Sequence, residues 1–116
     1  MHGFIFKKIF KKVFVKVEET IKKLESYWNI DDGLFYELRY KGILDIEKSE
    51  KFVQLLESIE ISGEQINRRL VSLLWYLPLF LTWQKERISE QGGEIGEIED
   101  WTNEIISILE KKLGVP

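Results

Sequence analysis

The stretch Ile66-Asn67-Arg68-Arg69-Leu70-Val71-Ser72-Leu73-Leu74-Trp75-Tyr76-Leu77-Pro78-Leu79-Phe80-Leu81-Thr82-Trp83 is apolar on nearly every side of a helix. A helix of that kind belongs at the centre of a fold. Its apolar run, Leu70 to Trp83, lies between Arg68-Arg69 and Lys85-Glu86-Arg87. As a helix, the residues between Arg69 and Lys85 extend about 22 Å, short of the roughly 30 Å of a bilayer core, so the run reads as a buried helix and not as a span. Pro78 cannot donate to the Leu74 carbonyl and disfavours helical geometry at Leu77. The helix is therefore expected to kink there, or to restart with Pro78 in its first turn. Upstream, Ser62-Gly63-Glu64-Gln65 fits a capping box.

Working outward, the apolar positions 6, 9, 10, 13, 17, 21, 24 and 28 follow helical spacing and predict a first helix over about 4–28. Val13, Val15 and Val17 also alternate as a strand would. Asn29-Ile30-Asp31-Asp32-Gly33 is a turn by composition, with either Asp suited to cap a following helix. Leu34 to Lys41 fits a short helix closed by Gly42, although Tyr36, Leu38 and Tyr40 alternate with charged residues as in a strand. Ile46 to Ile59 is amphipathic, with Phe52, Val53, Leu55, Leu56 and Ile59 on one side. Residues 90–96 read as a flexible Gly-rich loop. A last helix, about Glu97 to Leu113, turns Ile98, Trp101, Ile105, Ile108 and Leu109 inward, with Lys111 and Lys112 at its negative end. The fold expected is a single all-α domain over residues 1–116, a bundle of four or five helices around a central apolar one. The alternative is an α+β domain with a small hairpin near residues 34–46.

At 116 residues, 44% hydrophobic and with two Pro, the chain has the apolar content that a folded core requires. It has no Cys, which removes thiolate nucleophiles, disulfides and sulfur ligands and fits a reducing, cytoplasmic location. Lys pairs break the N-terminal apolar stretch every two or three residues, against the pattern of an export signal.

The chemistry-bearing residues are few. General acid–base or nucleophilic catalysis usually draws on His or Cys, and the only His is His2, near the N-terminal end of the sequence. Ser and Thr hydroxyls have no evident base beside them. No enzymatic activity and no cofactor are expected. Gly92-Gly93-Glu94-Ile95-Gly96 matches neither phosphate-binding glycine pattern, and the Glu residues around it would repel phosphate. Glu97, Asp100 and Glu104 share a helix face, but one helix supplies too few ligands for a hard cation, and a solvated acidic face is the reading adopted.

Charge is divided unevenly along the chain. Residues 1–23 carry seven Lys against Glu18 and Glu19, a formal +5, so the remainder carries −8 to reach the net charge of −3. Between Ile88 and Leu109 the acids Glu90, Glu94, Glu97, Glu99, Asp100 and Glu104 meet no Lys or Arg. Such a field steers encounter with a basic protein, and Glu94, Glu97, Asp100 and Glu104 are the candidate partner-binding residues. The counterpart is Lys7, Lys8, Lys11, Lys12 and Lys16, a candidate surface for polyanions, whether nucleic acid or anionic membrane. Against that stands the simpler reading in which Phe6, Phe10 and Val13 are core and the Lys stems flank it.

The expectation is a non-enzymatic protein-binding module, most concretely a small acidic inhibitor or immunity-type protein occluding a basic partner such as a nuclease. The alternative is a nucleic-acid- or membrane-surface-binding protein using its Lys-rich amphipathic N-terminal helix. No transmembrane span is expected, and homo-oligomerisation is compatible with the sequence.

Overall fold

The computed structural model describes residues 16–61 and 63–116. Helices cover 16–26 (α1), Leu34–Lys41 (α2), Ile46–Ser58 (α3), Arg68–Glu90 (α4) and Gly96–Leu113 (α5). The described residues form an all-helical bundle, and α5 packs against both α3 and α4. The alternative hairpin is not formed: Leu34–Lys41 is helical throughout. Burial decides this, because Leu34, Phe35 and Leu38 fall on one side of a helix and all three are enclosed.

The connection from α1 to α2 is tight. Tyr27, Trp28 and Asn29 donate back to the carbonyls of Leu24, Glu25 and Ser26, and Phe35 donates to the Tyr27 carbonyl at 3.0 Å. Gly33 precedes α2, and a Cβ there would stand 2.5 Å from the Asn29 carbonyl oxygen, so the turn admits only glycine. This corrects the expectation that an Asp caps α2. Gly33 occupies the capping position, and no side chain caps the helix. Asp31 instead takes the left-handed conformation, and the Asp32 carbonyl accepts from Lys48 Nζ. The helix also ends at Ser26, two residues before the expected limit, because Tyr27 and Trp28 enter this turn. The expected start at residue 4, and the core roles of Phe6, Phe10 and Val13, lie outside the described residues.

Gly42 closes α2 in the left-handed conformation, as the sequence suggests. Asp45 then caps α3 by accepting from the Lys48 backbone N–H at 3.0 Å. The Lys48 side chain reaches back to Glu37 Oε1 at 2.6 Å, tying α3 to α2.

Two expectations for the central helix require correction. The capping box expected at 62–65, of which Ser62 lies outside the described residues, is not what starts it. Asn67 does, accepting from the backbone of Arg69 and Leu70 at 2.9 and 3.1 Å, and Gln65 lies in non-helical chain. Nor does the helix restart at Pro78, which sits inside a continuous run to Glu90. An interior proline costs about 3 kcal/mol. Leu74, Leu77, Phe80 and Leu81 around it are buried, and each enclosed side chain contributes about 1.5–3 kcal/mol, so packing carries the helix through.

The end of α4 follows from its glycines. Gly92, at φ 80°, donates to the Ser89 carbonyl and Gly93 donates to Ile88, the paired bonds of a Schellman cap. The chain then turns into α5, whose Ile98, Trp101, Ile105, Ile108 and Leu109 are all buried as their spacing predicts.

Phe35 occupies the centre of the core at 1% exposure. Its ring meets aromatics from the α1–α2 turn, α3, α4 and α5: Trp28 at 4.3 Å, Phe52 at 5.0 Å, Phe80 at 5.6 Å and Trp101 at 6.0 Å between centroids. The contacts with Phe52 and Phe80 are edge-to-face, which suits the ring quadrupole. Trp101 Nε1 donates to the Ser49 carbonyl at 3.1 Å, so the largest side chain of α5 is buried without an orphaned donor.

Phe35→Ala should cost about 3–5 kcal/mol, measured as the shift in urea midpoint at constant slope. A second expected outcome concerns alkaline pH. Burial holds the Tyr27 phenol above its ordinary 10.0, with the Lys51 charge opposing. The hydrogen bond to Glu37 holds the Lys48 ammonium above its ordinary 10.5, burial opposing and neighbouring carboxylates assisting. In both cases the folded chain keeps protons that the unfolded chain releases. The stability they confer is complete below the unfolded values and falls as pH rises through the folded ones. The urea midpoint should accordingly drop from about pH 10 upward, and the drop should shrink in Lys48→Met.

Candidate interaction surface

The central helix is not enclosed on all sides. Leu70, Leu73, Leu74, Leu77, Phe80 and Leu81 face the core, while Trp75, Leu79 and Trp83 are 56%, 38% and 48% exposed. These three recur every four residues and therefore stand on one face. Reading the run as buried all round missed this division. Composition cannot reveal it, since the letters on both sides are equally apolar.

Tyr76 braces the exposed face from within. Its ring lies 5.8 Å from Trp75 and 6.1 Å from Trp83, both edge-to-face, and 6.2 Å from Phe80 and 6.1 Å from Trp28 on its other side. The surface tryptophans are thus seated on the same aromatic stack that fills the core. Two clefts flank this stack. Glu25, Trp28, Arg69, Ser72 and Tyr76 line one, closed by the Arg69–Glu25 ion pair at 3.2 Å. Trp28, Ile30, Tyr36, Arg39, Tyr40 and Phe80 line the other, where Tyr36 and Tyr40 pack at 4.7 Å and Arg39 lies over Tyr40 at 5.4 Å.

Glu94 stands in the connection between α4 and α5; Glu97, Asp100 and Glu104 lie on α5, and all four are exposed. None of them enters the four ion pairs found among the described residues. Lys16 is exposed and lies 3.8 Å from Glu60. Lys7, Lys8, Lys11 and Lys12 lie outside the described residues. Among the described residues no group of three or more His, Asp or Glu is arranged to hold a metal ion, and no helix is long and apolar enough to cross a membrane. One buried polar atom lacks a partner among the described residues, Gln84 Oε1 on the core side of α4.

No family model, curated protein or solved structure matches this chain. Tryptophan, which stands exposed twice on this helix face, is among the residue types enriched at the energetic centres of protein interfaces. Its indole removes a large apolar area from water at little cost in conformational freedom.

Proposed function

We propose that this chain is a non-enzymatic protein-binding domain whose recognition surface is the outward face of α4. One observation carries the reading: Trp75, Leu79 and Trp83 stand exposed side by side in the middle of a helix whose other side is the core. Scattered exposed apolar residues are ordinary, but a contiguous aromatic stripe marks a contact site. The acidic face of α5 supports a second contact. Glu94, Glu97, Asp100 and Glu104 remain outside the ion pairs that engage Glu25, Glu37, Glu47 and Glu60. In an inhibitor or immunity-type role, these carboxylates steer encounter with a basic partner.

The test is affinity copurification with the full chain as bait beside the Trp75→Ala/Trp83→Ala variant, assaying protein, nucleic acid and phospholipid in each eluate. Protein is expected with the wild type and at least tenfold less with the variant, since each anchor is worth about 2 kcal/mol or more. Equal recovery by the two baits, or recovery of nucleic acid or lipid alone, would reject the reading.

A further inference from the structure

The outward face of α4 has the same spacing from both ends. Counted from Leu79, Trp75 and Trp83 lie four residues away on opposite sides, Ser72 and Glu86 seven, and Arg68 and Glu90 eleven. Steps of four, seven and eleven all return to one side of a helix. Of these residues Ser72 is half-buried and the rest are exposed. The face therefore begins with a cation, carries an aromatic–aliphatic–aromatic centre and ends with two carboxylates.

We infer that this face pairs with the same face of a second copy of the chain, the two α4 helices running antiparallel and crossing at Leu79. The inference rests on the reading of the α4 face as a protein-binding surface and names its partner. A two-fold axis through Leu79 sets Trp75 against the partner's Trp83, Ser72 against the partner's Glu86, and Arg68 against the partner's Glu90. Each contact occurs twice, as an isologous interface requires. Charge complementarity selects this direction. Arg68 and Glu90 each lie about 16 Å along the axis from Leu79, so only antiparallel helices bring them together. Parallel helices would set Arg68 on the partner's Arg68 and Glu86 and Glu90 on their own counterparts, which disfavours that pairing by like-charge contact. A crossing angle of about 20° keeps long helices in contact over such a length.

The face is about 33 Å long and about 12 Å wide, on the order of 400 Å² per copy. That is about half of the roughly 800 Å² per partner of a standard interface. A face of that size belongs to the weak, transient class of interface, and a dimer populated only at micromolar concentrations or above is expected.

The experiment is sedimentation velocity of the full chain from about 1 to 500 μM, a range that brackets a micromolar constant. A monomer–dimer equilibrium is expected. Arg68→Glu and Glu90→Arg should each weaken it about tenfold, because symmetry turns two attractive pairs into two repulsive ones. An equimolar mixture of the two variants should recover the wild-type affinity, since each end is again complementary. The chain has no Cys, so single replacements report the register by oxidation. Leu79→Cys should form a disulfide across the axis. Ser72→Cys should not, because its two copies lie about 21 Å apart, beyond the roughly 7 Å limit. A chain that stays monomeric while the α4 variants lose a different protein in copurification would reject self-pairing and leave the surface reading intact. A monomer with no α4-dependent partner would reject both. A dimer indifferent to charge reversal, or cross-linked through Ser72→Cys, would reject the antiparallel register.

Discussion

The ring of Phe35 is the point on which the rest of this bundle depends. The helix that carries it, Leu34–Lys41, is short, yet the ring touches aromatic side chains of the preceding turn, α3, α4 and α5. Such a helix is far below the length that is stable alone in water, so its order comes from packing. The turn ahead of it places it: Gly33 brings the chain against Asn29 and Tyr27 too closely for any side chain, and Phe35 is thereby driven into the centre.

The same stack determines what α4 presents outside. With Phe80 packed edge-on to Phe35 and Trp28, the helix cannot rotate without pulling a ring from the core. Trp75, Leu79 and Trp83 then remain on the opposite side, braced by Tyr76. Core and surface are two sides of one helix, and the rigidity of the first orients the second. Pro78 lies on the same helix, its ring half-buried between the two sides, and its carbonyl accepts from the Thr82 hydroxyl at 2.8 Å.

Much of this was legible in the amino-acid sequence, for identifiable reasons. The last helix was readable because its five inward residues alternate with acids and lysines, so periodicity alone separates core from solvent. Gly42 and the turn at 29–33 were readable as breaks in pattern. The helix start at Asn67 was obscured by a better-looking capping motif a few residues upstream, because local chemistry does not say which start the core will accept. The outward face of α4 was hidden by the composition of its own helix: when both sides are apolar, only the neighbours decide which is buried. The symmetric spacing about Leu79 stands in the sequence, but it carries meaning only once that side is known to be exposed. The acidic residues 94–104 were legible as solvated charge, and the structure adds that they stay outside the ion pairs it describes.

The four tryptophans provide the most direct measurement. Trp101 is buried in the core, Trp28 is stacked on Phe35, and Trp75 and Trp83 face outward. Fluorine NMR of the 5-fluorotryptophan-labelled chain, assigned by single Trp→Phe variants, follows all of them at once as the protein is diluted. The account predicts that the Trp75 and Trp83 resonances move together with concentration while those of Trp28 and Trp101 stay fixed. Resonances of Trp75 and Trp83 that do not respond to dilution, or a Trp101 resonance that moves with them, would contradict it.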